Sequence, residues 1–241
     1  MKGVSGIEIQ LFFLRVLTND EIFELLEKFQ DRLNELGYEL DSLLDDEKFQ
    51  EFKNRDEDYF ESGYFDFSLY SYKLLYPYNT MNKKIWSLMI MGAKGEKYKS
   101  TTLNISLNLS ESNKEQIDSI VFISIDLLVK MLSLSTDLAY ACINGEDYNF
   151  KSEDSGYIIH SSEFKNGYPP FFAPIFYINK ERILAEDMDK FRNLDVYKIE
   201  EQENGFLIEM IQSFADRPSP KAIKQLKDIL GTDSAYRQPK L

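Results

Sequence analysis

Residues 102–110 alternate without a break. Leu103, Ile105, Leu107 and Leu109 fall on one parity, and Asn104, Ser106, Asn108 and Ser110 on the other. Successive side chains of a strand point to opposite faces, so this segment carries one buried and one wet face, as in an antiparallel sheet. A helical period would mix the two sets. The chain is thereby committed to a sheet with a covered face. Its 18 Phe and 15 Tyr suit packed sheet surfaces, and 43% hydrophobic residues suit a folded chain.

Further elements follow from the same reasoning. Residues 7–16 predict a strand with Ile7, Ile9, Leu11 and Phe13 on one face. Phe12, Leu14 and Val16 are also apolar, so its C-terminal half is expected to be covered on both faces. Thr18 precedes Glu21 by three residues, a capping-box spacing. Ile22, Leu25, Leu26, Phe29, Leu33 and Leu36 then recur at helical intervals, and Gly37 is a natural stop. Residues 64–72 predict a strand, as do residues 85–91, closed by Gly92. Residues 117–123 are rich in Ile and Val and favour strand, followed by a helix over 126–134 and a short strand over 138–143.

Residues 145–170 hold three glycines and two prolines, the one plausible internal boundary of an otherwise single domain. Residues 171–178 predict a strand that Pro174 demotes to an edge or a bulge. A short helix is expected over 181–191. Residues 196–200 and 206–211 flank Asn204-Gly205, which suits the positive φ values of a type I′ turn and predicts a hairpin. Residues 218–230 predict a closing helix capped by Ser219 or Asp216. The fold class is therefore α+β: an antiparallel or mixed sheet with helices packed mainly on one side.

Charge narrows the function classes. The chain carries 41 acids against 28 bases, a net charge of −13. Residues 39–61 alone hold ten acids and three bases, a local net charge of −7. A duplex nucleic-acid binder needs a cationic footprint, and an anionic membrane repels the same charge. An acidic surface attracts a basic partner and speeds the encounter, although a solvated face serves solubility equally well. The N-terminus is interrupted by charge too early for a signal-peptide core, and no window holds 18 apolar residues. The cytoplasm is the default expectation.

Motifs that carry chemistry are scarce. The one histidine, His160, is followed by Ser161 and Ser162, but adjacency in sequence is not a triad. The one cysteine, Cys142, lies in an apolar run and reads as a buried small hydrophobe. One Cys and one His cannot build the usual zinc sites. Asp56, Glu57 and Asp58 cluster without the glycine and terminal glutamate of a calcium loop. Residues 92–97 contain glycine and lysine but no phosphate-binding fingerprint, and a hairpin turn accounts for them. Trp86 in an apolar strand reads as core. Paired carboxylates for acid/base work exist among so many acids, but no pair stands out. No cofactor is expected.

The order of the segments resembles that of bacterial toxin-immunity proteins, in particular the immunity protein fifty-two family. The resemblance runs through Trp86 to Gly92, the alternating strand from Leu103, the run at 117–123, and residues 127–139. It continues through Pro169-Pro170, residues 175–178, residues 205–208, Ser213-Phe214 and the helix at 221–230. It covers about two-thirds of the chain. The family pattern has a tryptophan near residues 135–139 that this chain lacks, and the acidic segment before residue 64 has no counterpart in it. The resemblance implies a protein that binds a cognate toxin domain and blocks it without a cofactor. Toxin domains acting on anionic substrates carry basic clefts, which places Asp45, Asp46, Glu47, Asp56, Glu57, Asp58 and Glu61 as candidate partner-binding residues. A non-catalytic interaction or scaffold protein without a toxin partner is the alternative expectation, and a carboxylate enzyme a third.

Overall fold

Among the described residues eight strands pair antiparallel in one sheet, in the order β2-β3-β4-β1-β5-β6-β8-β7. The computed structural model describes residues 6–15, 17–35, 64–70, 84–95, 98–108, 122, 124–126, 128–129, 138–145, 172–213 and 216–231. The strands are β1 (Gly6–Phe13), β2 (Tyr64–Tyr70), β3 (Lys84–Gly95), β4 (Tyr98–Asn108), β5 (Leu138–Gly145), β6 (Ile175–Asn179), β7 (Lys198–Glu201) and β8 (Gly205–Glu209). The α+β expectation holds, with the antiparallel alternative realised. Among the described residues no helix is long and apolar enough to cross a membrane.

The N-terminal strand occupies the middle of the sheet. It pairs with β4 on one side, Ile9 opposite Ile105 and Leu11 opposite Leu103, and with β5 on the other, Ile9 opposite Ile143. The β1–β5 register shifts between Phe12 and Phe13, which pair with Tyr140 and Leu138, so Ala139 is an extra residue on β5. Consecutive residues of β1 from Ile9 to Phe13 are buried, so both faces are covered there. The same holds along the whole of β6 and β8. Aromatic rings tie the middle strands together. Phe12 stacks on Tyr140 at 5.7 Å between centroids, Tyr140 meets Phe176 at 6.1 Å, and Phe176 meets Phe172 at 6.3 Å. Such pairs each contribute about 0.5–1.5 kcal/mol beyond the burial of their area.

Helix α1 (Asn19–Glu35) starts where the capping box predicts. The Glu21 N–H donates to Thr18 Oγ1 at 3.2 Å, and the Thr18 N–H donates to Glu21 Oε2 at 2.8 Å. Arg15 grips the same carboxylate through both terminal nitrogens, at 2.9 and 2.7 Å. Ile22 and Leu25 turn inward. Arg32 reaches Asp126 with a two-pronged contact of 2.7 and 2.9 Å, fixing α1 to the helical residues around 122–129.

Several expectations are corrected. Phe122 is helical, so the strand expected over 117–123 does not reach it, and helix begins before residue 126. Strand β3 does not close at Gly92; it continues to Gly95, with Gly92 paired to Thr101. Strand β6 is neither edge nor bulge. Pro174 stands just before it, where a missing N–H costs no ladder bond, and its carbonyl accepts from Met210 N–H at 2.8 Å. The helix expected over 181–191 is divided into 3₁₀ turns at Lys180–Arg182 and Ala185–Asp187 and the short helix α2 (Met188–Arg192). The β7–β8 hairpin forms, but its turn is centred on Glu203-Asn204, closed by Gln202 N–H donating to the Gly205 carbonyl at 2.8 Å. Gly205 is the first residue of β8, and the positive φ among the described glycines belongs to Gly231. Helix α3 (Pro220–Leu230) has Ser219 as its cap and Gly231, at φ 88°, as its stop. Asp216 instead accepts from the Ser213 N–H at 3.1 Å. The acidic stretch 39–61 lies outside the described residues, as does the possible boundary at 145–170 apart from Gly145, which ends β5.

Candidate functional site

The seven candidate partner-binding residues, Asp45, Asp46, Glu47, Asp56, Glu57, Asp58 and Glu61, lie outside the described residues, as does His160. Cys142 is placed, and it is buried as expected. Its Sγ donates to Gln10 Oε1 at 3.4 Å across the β1–β5 pair. Trp86 stands in β3, paired with Leu69 and Leu107.

The densest array of polar groups in the described part gathers where β6, α2 and the β7–β8 hairpin meet. β6 ends at Asn179, whose amide bridges two elements. Its Nδ2 donates to the Leu138 carbonyl at 3.2 Å, and its Oδ1 accepts from the Glu181 N–H at 2.9 Å. The next residue, Lys180, directs its ammonium to the carbonyls of Gln202 and Glu203 at 2.7 and 3.2 Å and to Glu201 Oε1 at 3.1 Å. All three donors of an ammonium are thereby engaged.

Arg192 of α2 meets Glu201 from the other side with two bonds of 3.2 Å and holds Asp189 at 3.0 Å. Beneath both cations lies the ring of Phe206, with Lys180 Nζ 5.6 Å and Arg192 Cζ 5.8 Å from its centroid. Phe191 stacks on Phe206 at 6.2 Å with planes 10° apart. This is cation–π packing over a buried aromatic pair.

The electrostatics follow from these contacts. The Arg192 guanidinium, then the Lys180 ammonium, holds the Glu201 carboxyl down to about 2. Glu201 in turn raises Arg192. On the other parity of β7, Lys198 donates to Glu209 at 3.1 Å and approaches Glu200 at 3.0 Å, which raises the lysine and lowers Glu200. The shifts of Arg192, Lys198, Glu200 and Glu201 all run away from neutrality, where a general acid or base works best. Its chemistry is that of a lock: saturated ion pairs that fasten the hairpin to the end of β6. Among the described residues no group of three or more His, Cys, Asp or Glu side chains could hold a metal ion.

Among the described residues, what the lock leaves without a neighbouring strand is the outer edge of β7. That strand stands last in the order of the described strands, and Tyr197, which leads into it, is 55% exposed. Sequence reasoning identified the hairpin but not its exposed edge. The signal was present in Tyr197-Lys198-Ile199-Glu200-Glu201, a half-charged run beside a buried strand, but which strand ends a sheet is a property of the topology.

Charge is unevenly divided. Residues 172–231 hold eleven acids and nine bases, whereas residues 39–61 hold ten and three. The acidic excess is therefore not carried by the hairpin and α3 region. No family model and no curated protein matches the chain.

Proposed function

We propose that the protein acts by binding another protein, as an immunity protein that neutralises a cognate bacterial toxin domain through an acidic surface. One observation carries this reading: a net charge of −7 concentrated in residues 39–61 of the sequence, whereas the acids and bases of residues 172–231 nearly balance. A charge so localised steers a basic partner to one place on the surface. The resemblance in segment order to the immunity protein fifty-two family supports the same reading, and so does the scarcity of nucleophile, metal and phosphate motifs in the sequence. An acidic surface seated in a basic cleft mimics the charge of the toxin's own substrate.

The test is co-expression with the product of the neighbouring gene. Rescue of growth and co-purification of the two proteins are expected. Neutralising Asp45, Asp46, Asp56, Glu57 and Asp58 together is expected to slow association and flatten its dependence on salt. An association rate equal to that of the unaltered protein would remove the acidic segment from the mechanism.

A further inference from the structure

The outer edge of β7 is complementary to itself. We infer that two copies of this chain pair β7 against β7, antiparallel about a two-fold axis at Ile199, and join their sheets into one.

The hydrogen bonds determine which backbone groups are available. Gln202 N–H donates to the Gly205 carbonyl, so Gln202 and Gly205 form a bonded pair. Bonded and non-bonded pairs alternate along an antiparallel ladder. Glu200 with Leu207 and Lys198 with Glu209 are therefore the bonded pairs of the β7–β8 register. Tyr197, Ile199 and Glu201 then direct their N–H and C=O groups away from β8. The order of strands places β7 at the end of the sheet, so among the described residues no strand meets those groups.

Side chains determine the register. A second β7 must offer the same outward residues, so Ile199 faces Ile199, Tyr197 or Glu201 of the other copy. Ile199 opposite Glu201 places Glu200 opposite Glu200. Ile199 opposite Tyr197 places Lys198 opposite Lys198. Ile199 opposite Ile199 places Lys198 opposite Glu200 twice, once on each side of the axis, and Tyr197 opposite Glu201 on its flanks. Directly opposed like charges destabilise a strand pair and opposite charges stabilise it. Only the register centred on Ile199 satisfies both copies, as an isologous contact requires.

The intrachain contacts are compatible with this arrangement. Lys198 and Glu200 lie on the same parity and already touch at 3.0 Å. Two copies would merge their pairs into a two-by-two block in which each charge adjoins its opposite along and across the strands. The two Ile199 side chains, half-buried in the single chain, would cover each other. The strand has four residues, and its contact falls below the area of a standard stable interface, so the association is concentration-dependent.

Sedimentation velocity over rising concentration, up to about 1 mM, tests the inference. The unaltered protein is expected to shift from monomer to dimer mass. Ile199→Pro removes an outward N–H without touching a β8 bond and is expected to stay monomeric. Glu200→Lys, a half-buried edge position, sets Lys against Lys198 of the other copy and is expected to do the same. Ile199→Asp and Ile199→Lys are each expected to be monomeric, whereas their equimolar mixture recovers dimer mass, because only a contact of residue 199 with itself converts two repulsions into one attraction. An unaltered protein that stays monomeric throughout overturns the inference. So does a Glu200→Lys dimer as strong as the original, or a mixture that remains monomeric while both variants retain their folded circular dichroism spectra.

Discussion

The ring of Tyr177 lies across the α-carbon of Gly205. A Cβ at that position would come within 2.3 Å of Tyr177 Cε2 and 2.4 Å of the Ile178 carbonyl oxygen. Glycine here serves close approach between β6 and β8, and the aromatic ring fills the space its missing side chain leaves. Gly205→Ala is expected to destabilise the protein by about 1–3 kcal/mol, the range for overpacking a filled site. Chemical denaturation of the two proteins measures it. Trimming Tyr177 in the Gly205→Ala background is expected to restore little, because the Ile178 carbonyl belongs to the backbone and cannot yield.

The capping box at the start of α1 has a definite acid signature. Arg15 above all, with a lesser contribution from the Thr18 N–H, holds the Glu21 carboxyl down from 4.5 to about 2 and overcomes the opposing effect of burial. A depressed carboxylate contributes stability that is present above the unfolded value and is lost as pH falls through the folded value. The contribution of Glu21 therefore fades between about pH 4.5 and about pH 2. The pair is partly exposed, so solvent screening keeps the effect small. Glu21→Gln retains the cap geometry and removes the charge. Urea unfolding at a series of pH values is expected to show the two proteins diverging above pH 4.5 and converging toward pH 2.

The strands and the first helix were legible because their signals are local. Parity at 102–110 and the Thr18–Glu21 spacing depend on neighbours a few residues away. The misreadings share a different origin. Pro174 suggested an edge because proline lacks a donor, but it stands one residue before β6, and the strand behind it is interior. Gly205 suggested a turn centre because Asn-Gly favours positive φ, but the glycine answers to Tyr177, which is 28 residues away in sequence. The helical spacing over 181–191 was interrupted because Asn179 caps a 3₁₀ turn and Phe191 must reach Phe206. Each depends on contacts across the sheet. The same holds for the edge of β7: its residues are plain in the sequence, but its place at the end of the described strands is a property of the strand order.

Asn179 is buried, and each half of its amide satisfies a backbone group, the Leu138 carbonyl in the interior and the Glu181 N–H nearer the surface. The Nδ2 serves the Leu138 carbonyl at 3.2 Å, and the Oδ1 serves the Glu181 N–H at 2.9 Å. Asn179→Ala leaves both without this partner and is expected to cost about 1–3 kcal/mol. Asn179→Asp is expected to be the harsher change at neutral pH, since it turns a carboxylate oxygen toward the Leu138 carbonyl. Thermal unfolding of the two variants side by side orders them. A milder loss in the aspartate variant would mean that the Leu138 contact contributes little.

Tyr177 supplies the alkaline counterpart to Glu21. Burial first, and then the nearby charge of Glu181, pushes its phenol from 10 up to about 12. The unfolded chain releases that proton near pH 10 and the folded chain near pH 12, so between them the unfolded state binds fewer protons. Stability accordingly falls as pH rises through this window, by an amount on the order of 2 kcal/mol for a shift of this size. Tyr140, buried beside Phe12, is raised in the same direction and adds to the slope. Tyr177→Phe removes one contributor and retains the ring over Gly205. Unfolding free energies measured from pH 9 to 12 are expected to fall less steeply in that variant. Equal slopes in the two proteins would show that Tyr177 ionises in the folded state as readily as in the open chain, and that its hydroxyl is not sealed between β6 and β8.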